Sequence, residues 1–159
     1  MYCTKKITSD LIWLGGSDRR LALFENVYPI PRGVSYNAYL IQDEKTALLD
    51  TVDQAIAERF FENLEHALQG KPLNYVIVNH MEPDHAATLG TVLSRYPEAT
   101  VIGNAKTLPM IKQFFPMEVE GRFQAVKEGD TVTEGEILIS GTVSKEPPMY
   151  SAQPVRYYQ

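Results

Sequence analysis

Cysteine, tryptophan and histidine are scarce in this sequence, with one, one and three residues among 159. The single cysteine, Cys3, cannot form a disulfide within the chain, which agrees with a reducing compartment. No apolar run is long enough to cross a bilayer, and the N-terminus carries no apolar signal segment. We therefore expect a cytoplasmic protein that has no membrane partner.

An excess of positive charge is also missing. The sequence has 15 Lys and Arg against 20 Asp and Glu, which gives a formal net charge of −5. Surfaces that bind nucleic acid are rich in positive charge, so we expect no nucleic-acid partner. The apolar fraction of 44% and the charged fraction of 22% are typical of a globular domain, and the length is enough for one domain with a real core.

Hydrophobic periodicity predicts strands that alternate with helices. We predict strands at residues 7–14, 34–41, 46–49, 73–78 and 100–102, and helices at residues 56–68, 89–96 and 108–115. Gly15 and Gly16 are predicted to form a turn, Asp53 to cap the first helix, and residues 119–139 to be β-rich. This order implies an α/β layer architecture, in which sites lie at the carboxyl ends of parallel strands.

One segment concentrates metal-binding groups directly after a predicted strand: His80-Met81-Glu82-Pro83-Asp84-His85, called cluster 80–85 below. His80 and Glu82 are two residues apart, so in an extended segment their side chains point the same way and can bind one ion. Asp84 and His85 begin the next helix and can turn back to hold a second ion. Two imidazoles and two carboxylates without a thiolate suit non-haem iron, manganese or zinc.

A purely structural role for cluster 80–85 is the alternative. Asp84 could cap the helix, Glu82 could favour its positive end, and the histidines could hydrogen-bond locally. Four ligands also leave two ions under-coordinated, and no histidine follows His85 in the sequence. Asp50 ends a predicted strand and could orient a ligand histidine through its second nitrogen, or could simply begin the turn towards Asp53.

The pattern His80-x-Glu82-x-Asp84-His85 resembles the first ligand motif of flavodiiron proteins (A-type flavoproteins), which have an N-terminal metallo-β-lactamase-like domain. Related hydrolases usually have a histidine in the position of Glu82. Further stretches are similar to the same family, namely Phe24-Glu25, residues 33–41 (GVSYNAYLI) and residues 48–51 (LLDT). The likeness extends from about residue 7 to about residue 133.

The resemblance implies an αββα sandwich over residues 1–143, incomplete on its C-terminal side, with an irregular tail at residues 144–159. It implies two non-haem irons, one bound by His80 and Glu82 and the other by Asp84 and His85. The family reduces dioxygen to water, nitric oxide to nitrous oxide, or both. Its electrons come from FMN on a flavodoxin-like domain or from a rubredoxin-type protein, and its members form head-to-tail homo-oligomers.

The sequence departs from the family in ways that bear on activity. The family has a third ligand histidine in a Pro-Met-x-His context, whereas Pro148-Met149-Tyr150-Ser151 has a serine in that position. The later ligands and the flavodoxin-like domain would lie beyond residue 159, so FMN would come only with a domain absent from this sequence. We therefore expect the front portion of a longer enzyme, inactive alone, with an uncovered apolar sheet surface that favours self-association.

Two other functions fit the sequence. A zinc-dependent metallo-hydrolase of the β-lactamase or glyoxalase type would activate water to attack an ester, thioester or amide, although Glu82 argues against it. A non-catalytic remnant would fold without metal. Metal analysis separates the three: iron favours the oxidoreductase, zinc with esterase activity favours the hydrolase, and a metal-free folded chain favours the remnant.

Overall fold

The computed structural model describes residues 2–24, 26–127, 130–132 and 139–140. Its strands are β1 (Lys5–Lys6), β2 (Leu11–Trp13), β3 (Gly16–Asp18), β4 (Leu23–Phe24), β5 (Tyr28–Pro29), β6 (Val34–Tyr36), β7 (Tyr39–Gln42), β8 (Thr46–Leu49), β9 (Tyr75–Ile77), β10 (Thr100–Gly103), β11 (Phe123–Ala125), β12 (Thr131–Val132) and β13 (Ile139–Ser140). Its helices are α1 (Ala57–Leu68), α2 (Pro83–Ala86), α3 (Leu89–Arg95) and α4 (Thr107–Phe114), with 3-10 turns at Gln54–Ile56 and Glu120–Arg122. Within these residues no helix has the length and apolar character needed to cross a bilayer.

A mixed sheet of seven strands, in the order β1-β2-β7-β8-β9-β10-β11, forms the centre of the fold. Strands β1, β2, β7 and β8 pair antiparallel, whereas β8, β9, β10 and β11 pair parallel. The hairpin β7–β8 and the alternation of strands and helices are therefore as predicted. Because the parallel strands run the same way, their carboxyl ends meet at one edge of the sheet.

The main core lies between one face of this sheet and the helices. Leu40, Leu48, Val76 and Val101 stand side by side in the register of β7, β8, β9 and β10. They pack with fully buried side chains of the helices: Phe60 and Leu64 of α1, Leu89 and Val92 of α3, and Ile111 of α4. The helical stripes predicted from periodicity thus face the sheet, since only that face removes them from water.

The opposite face of the central strands is also buried. Ala47, Tyr75, Ile77 and Ile102 form a second apolar cluster, and each is at most 6% exposed. The expected uncovered apolar surface is therefore wrong for these strands. A sheet buried on both faces is typical of parallel strands that read as continuous apolar runs.

Two predictions near the N-terminus need correction. The strand expected at residues 7–14 is confined to β2, because the Thr8 and Ser9 hydroxyls donate to Asp10 and shape a turn between β1 and β2. The predicted turn at Gly15 and Gly16 is wrong, since Gly16 begins β3. A Cβ atom at Gly15 would lie 2.0 Å from the Tyr36 carbonyl oxygen, so glycine is needed there for a close backbone approach.

The strand predicted at residues 34–41 is divided between two sheets. Residues of β6 pair with β3, and residues of β7 pair with β2 and β8. The side-chain amide oxygen of Asn37, which lies between β6 and β7, accepts a hydrogen bond of 2.9 Å from the indole Nε1 of Trp13. Asp53 does cap the next element, because its Oδ1 accepts from the Ala55 amide at 2.7 Å, but that element is a 3-10 turn before α1.

The C-terminal predictions are tested only in part. The β-rich region at 119–139 begins with the 3-10 turn Glu120–Arg122 and continues with β11. The boundary at residue 143, the tail at 144–159 and the segment Pro148-Met149-Tyr150-Ser151 lie outside the described residues, as does Glu25.

Candidate metal centre

Cluster 80–85 lies at the carboxyl edge of the sheet, directly after β9. The Val78 amide donates to the Ile102 carbonyl at 2.8 Å, so the chain stays aligned with β10 as it leaves the strand. Glu82 is extended, with φ −69° and ψ 152°, and Pro83 occupies the first turn of α2, where a missing N–H has no cost. The amide of His85 then donates to the Glu82 carbonyl at 2.9 Å, which turns the chain back on itself.

The four predicted ligands lie together as two pairs. His80 Nε2 is 3.1 Å from Glu82 Oε2, and His85 Nε2 is 3.5 Å from Asp84 Oδ2. The rings of His80 and His85 meet edge to face, with centroids 5.3 Å apart. The pairing matches the division into two ions expected from the sequence, while metal binding itself stays a prediction.

The spacing within each pair fits two ligands of one ion. Ligand bonds of about 2.0–2.2 Å that meet at roughly tetrahedral to right angles place the two donor atoms about 3.0–3.5 Å apart. The N···O distances of 3.1 and 3.5 Å agree with that range. However, no three His, Cys, Asp or Glu side chains in the described part of the chain surround a single ion position. Each ion would therefore need further ligands.

Asp50 lies behind His85. Its Oδ2 is 3.3 Å from His85 Nδ1, the nitrogen opposite the one that faces Asp84, and its Oδ1 accepts from the Asn79 amide at 2.7 Å. Within the described residues the buried Nδ1 has no well-aligned hydrogen bond, so its contact with Asp50 is mainly electrostatic. Asp50 is 6% exposed and has φ 54°, a left-handed conformation that Asp tolerates better than most residues. The position permits the predicted orienting role.

The cluster carries unbalanced negative charge. Burial raises the pKa of the Asp84 carboxyl, and the Glu82 charge raises it further, against the opposing effect of the histidines. Burial alone would lower the pKa of His85, but the contact with Asp50 and the charges of Asp84 and Glu82 outweigh it and raise the pKa. A bound cation would remove this repulsion and the cost of burying the carboxylate.

Tyr36 is a buried tyrosine whose pKa is affected by three carboxylates, one of them Asp84 of the cluster. It is 3% exposed, and its pKa is raised to about 12 by burial and by the charges of Asp53, Asp18 and Asp84. The sequence assigned Tyr36 to a β-prone segment and gave it no chemical role.

Two threonines that sequence reasoning missed hold α2 in place. The amide and Oγ1 of Thr51 both donate to the His85 carbonyl at 2.8 Å. The Oγ1 of Thr88 donates to the Val52 carbonyl at 2.9 Å and accepts from the Val52 amide at 3.2 Å. These contacts join residues 34 and 36 positions apart in the chain, so no local pattern could have revealed them.

Comparison with known proteins places this fold in a defined class. The family model of the Metallo-beta-lactamase superfamily matches residues 31–152, and the chain belongs to that superfamily. Among curated relatives, the "Anaerobic nitric oxide reductase flavorubredoxin" of Salmonella arizonae is 34% identical over 130 residues, and that of Klebsiella pneumoniae is 33% identical over 130 residues. Each alignment covers 81% of this chain and 27% of the relative, so the chain spans about a quarter of their length.

Solved structures agree with the sequence relatives. The flavodiiron protein from Giardia intestinalis is 26% identical with a TM-score of 0.76, over 84% of this chain and 32% of that chain. The rubredoxin oxygen:oxidoreductase from Desulfovibrio gigas is also 26% identical with a TM-score of 0.76, over 82% of this chain and 32% of that chain. These similarities confirm the predicted resemblance to the N-terminal domain of flavodiiron proteins and the metallo-β-lactamase-like α/β fold.

Proposed function

We propose that this chain forms the di-iron-binding part of a flavodiiron-type oxidoreductase that reduces nitric oxide, dioxygen or both. In this proposal His80 and Glu82 hold one non-haem iron, and Asp84 and His85 hold the other. The observation that carries it is the carboxylate of Glu82, 3.1 Å from His80 Nε2, in the position where related hydrolases have an imidazole. Mixed imidazole and carboxylate sets suit iron, and the relatives named above are oxidoreductases.

The bound irons would supply the redox chemistry, while the residues supply the environment. The carboxylates of Glu82 and Asp84 balance the positive charge of the site. Asp50 faces the opposite nitrogen of the His85 ring, 3.3 Å away. Ala86 and Leu89, which follow the cluster in the chain, are 3% and 1% exposed and belong to the main core.

The names of the relatives also suggest the electron source. The name flavorubredoxin combines flavin and rubredoxin, and this chain aligns with about a quarter of the length of that relative. We propose that electrons reach the site from FMN on a flavodoxin-like domain or from a rubredoxin-type protein, within a cytoplasmic homo-oligomer. The oxidant bound at the irons would be dioxygen or nitric oxide.

The test is to purify the 159-residue chain without oxygen, offer Fe(II) and Zn(II) in competition, and then add a reductant with nitric oxide or dioxygen. We expect iron to be retained but gas consumption not to be sustained, because the described residues supply only two ligands to each ion. Glu82→His is the matched variant, and it should shift the preference towards zinc.

Other results would favour another function. A chain that prefers zinc and cleaves esters would support the hydrolase of the same superfamily and contradict the oxidoreductase. Sustained gas consumption by the chain alone would keep the oxidoreductase but refute its incompleteness. A folded chain that binds neither metal would leave the non-catalytic alternative.

A further inference from the structure

Asp50 and Thr51, the two residues that follow β8, contact different groups of His85. Asp50 faces the imidazole, as described above, whereas Thr51 directs both its amide and its hydroxyl to the backbone carbonyl of His85, each at 2.8 Å. That carbonyl is one of the last four in α2, which have no partner within the helix. Asp50 and Thr51 therefore contact both the ring and the backbone carbonyl of His85.

Helix α2 depends on such contacts because it has only four residues, too few to be stable by itself. A second anchor lies one turn further on, where the Thr88 amide donates to the Val52 carbonyl at 3.2 Å. The Thr88 hydroxyl donates to the same carbonyl at 2.9 Å and accepts from the Val52 amide at 3.2 Å. Thr51 and Thr88 are 1% and 0% exposed. Water cannot easily replace a hydroxyl lost at either position.

We infer that Thr51 is a positioning residue for the metal centre. Its hydroxyl fixes the His85 carbonyl and so places the imidazole between Asp50 and Asp84. The inference rests on the proposed metal-binding function, but Thr51 itself contacts no proposed ion. Metal sites need their ligands within about 0.5 Å of the productive position, so a small shift of α2 would weaken binding.

The experiment compares Thr51→Val, which removes the hydroxyl and keeps the shape, with Thr51→Ser, which restores a hydroxyl. Thr46→Val is the matched control, because Thr46 is the first residue of β8, the strand that precedes Thr51, is 2% exposed and donates its hydroxyl to the Pro72 carbonyl at 2.6 Å. We expect Thr51→Val to weaken Fe(II) affinity about 10- to 100-fold, the usual range for residues that support a ligand. Thr51→Ser and Thr46→Val should bind Fe(II) like the original chain.

A measurement without metal separates this inference from the proposed function. Hydrogen exchange at the amides of Ala86 and Ala87, which bond to the carbonyls of Glu82 and Pro83 at 2.9 Å, reports on α2 directly. Thr51→Val should speed exchange there at least tenfold, while Thr46→Val should not. If the original chain binds no iron, the proposed function fails, and exchange alone still decides whether Thr51 holds α2 and the His85 carbonyl in place.

Two results would overturn the inference. One is Thr51→Val with unchanged exchange at α2 and unchanged Fe(II) affinity. The other is a loss of affinity that Thr46→Val shares or that Thr51→Ser does not restore, because either would indicate general destabilisation. If Thr51→Val does not fold, Thr51→Ala removes the same hydroxyl without added bulk and is judged by the same outcomes.

Discussion

Replacing His85 with alanine is expected to abolish tight binding of one of the two proposed iron ions. His85 lies 3.5 Å from Asp84 and 3.3 Å from Asp50, so its imidazole separates two carboxylates at the centre of the site. Its loss removes a ligand and also the imidazole that contacts both of those carboxylates. Fe(II) titration should show an affinity at least about 100-fold weaker for that ion, beyond the range typical of supporting residues.

His66→Ala is the control for this prediction. His66 is the remaining histidine of the chain, and it stacks on Tyr2 with ring centroids 3.5 Å apart, outside cluster 80–85. It should leave the iron titration unchanged. If His85→Ala and His66→Ala both bind two irons with the original affinity, His85 is not a ligand.

Substitutions of Asp50 are expected to give the second large effect and to decide between its two predicted roles. Asp50→Asn keeps the acceptor for the Asn79 amide, 2.7 Å away, and tolerates φ 54°, but it loses the charge that faces His85. We expect Fe(II) affinity about 10- to 100-fold weaker, with little change in the free energy of unfolding. Iron titration and urea denaturation measure the two quantities.

Asp50→Ala should behave differently. It leaves the Asn79 amide without its acceptor and places alanine in a left-handed conformation, so we expect a loss of about 1–3 kcal/mol in the free energy of unfolding as well as weaker iron binding. If Asp50→Asn binds iron like the original chain while Asp50→Ala only loses stability, Asp50 serves the turn and does not orient His85.

The parts of the fold that could be predicted are those with a strong local period. Three elements could be predicted in this way: the hairpin β7–β8, helix α1 with its apolar stripe, and the short apolar strand β9. In each, the spacing of the apolar side chains indicates which residues are buried. The pairing within cluster 80–85 could also be predicted from the sequence. The side chains of residues that are two apart in an extended segment, or adjacent at the start of a helix, can point in only a few directions.

The parts of the fold that could not be predicted depend on contacts between residues that are far apart in the sequence. Gly15 looked like a turn residue, but its place is set by the Tyr36 backbone 2.0 Å from where a Cβ would stand. The division of residues 34–41 between two sheets likewise depends on their partners, β3 on one side and β2 with β8 on the other. Thr51 belongs to the family-like stretch 48–51, but its contact has no local pattern, since its partner is the carbonyl of His85, 34 positions away.

The presence of two iron sites in cluster 80–85 is tested by the number of irons per chain after anaerobic loading with Fe(II), with His80→Ala measured beside it. We predict two irons in the original chain and one in His80→Ala, because Asp84 and His85 would still hold theirs. A folded original chain that retains no iron, or a His80→Ala variant that retains two, would contradict it.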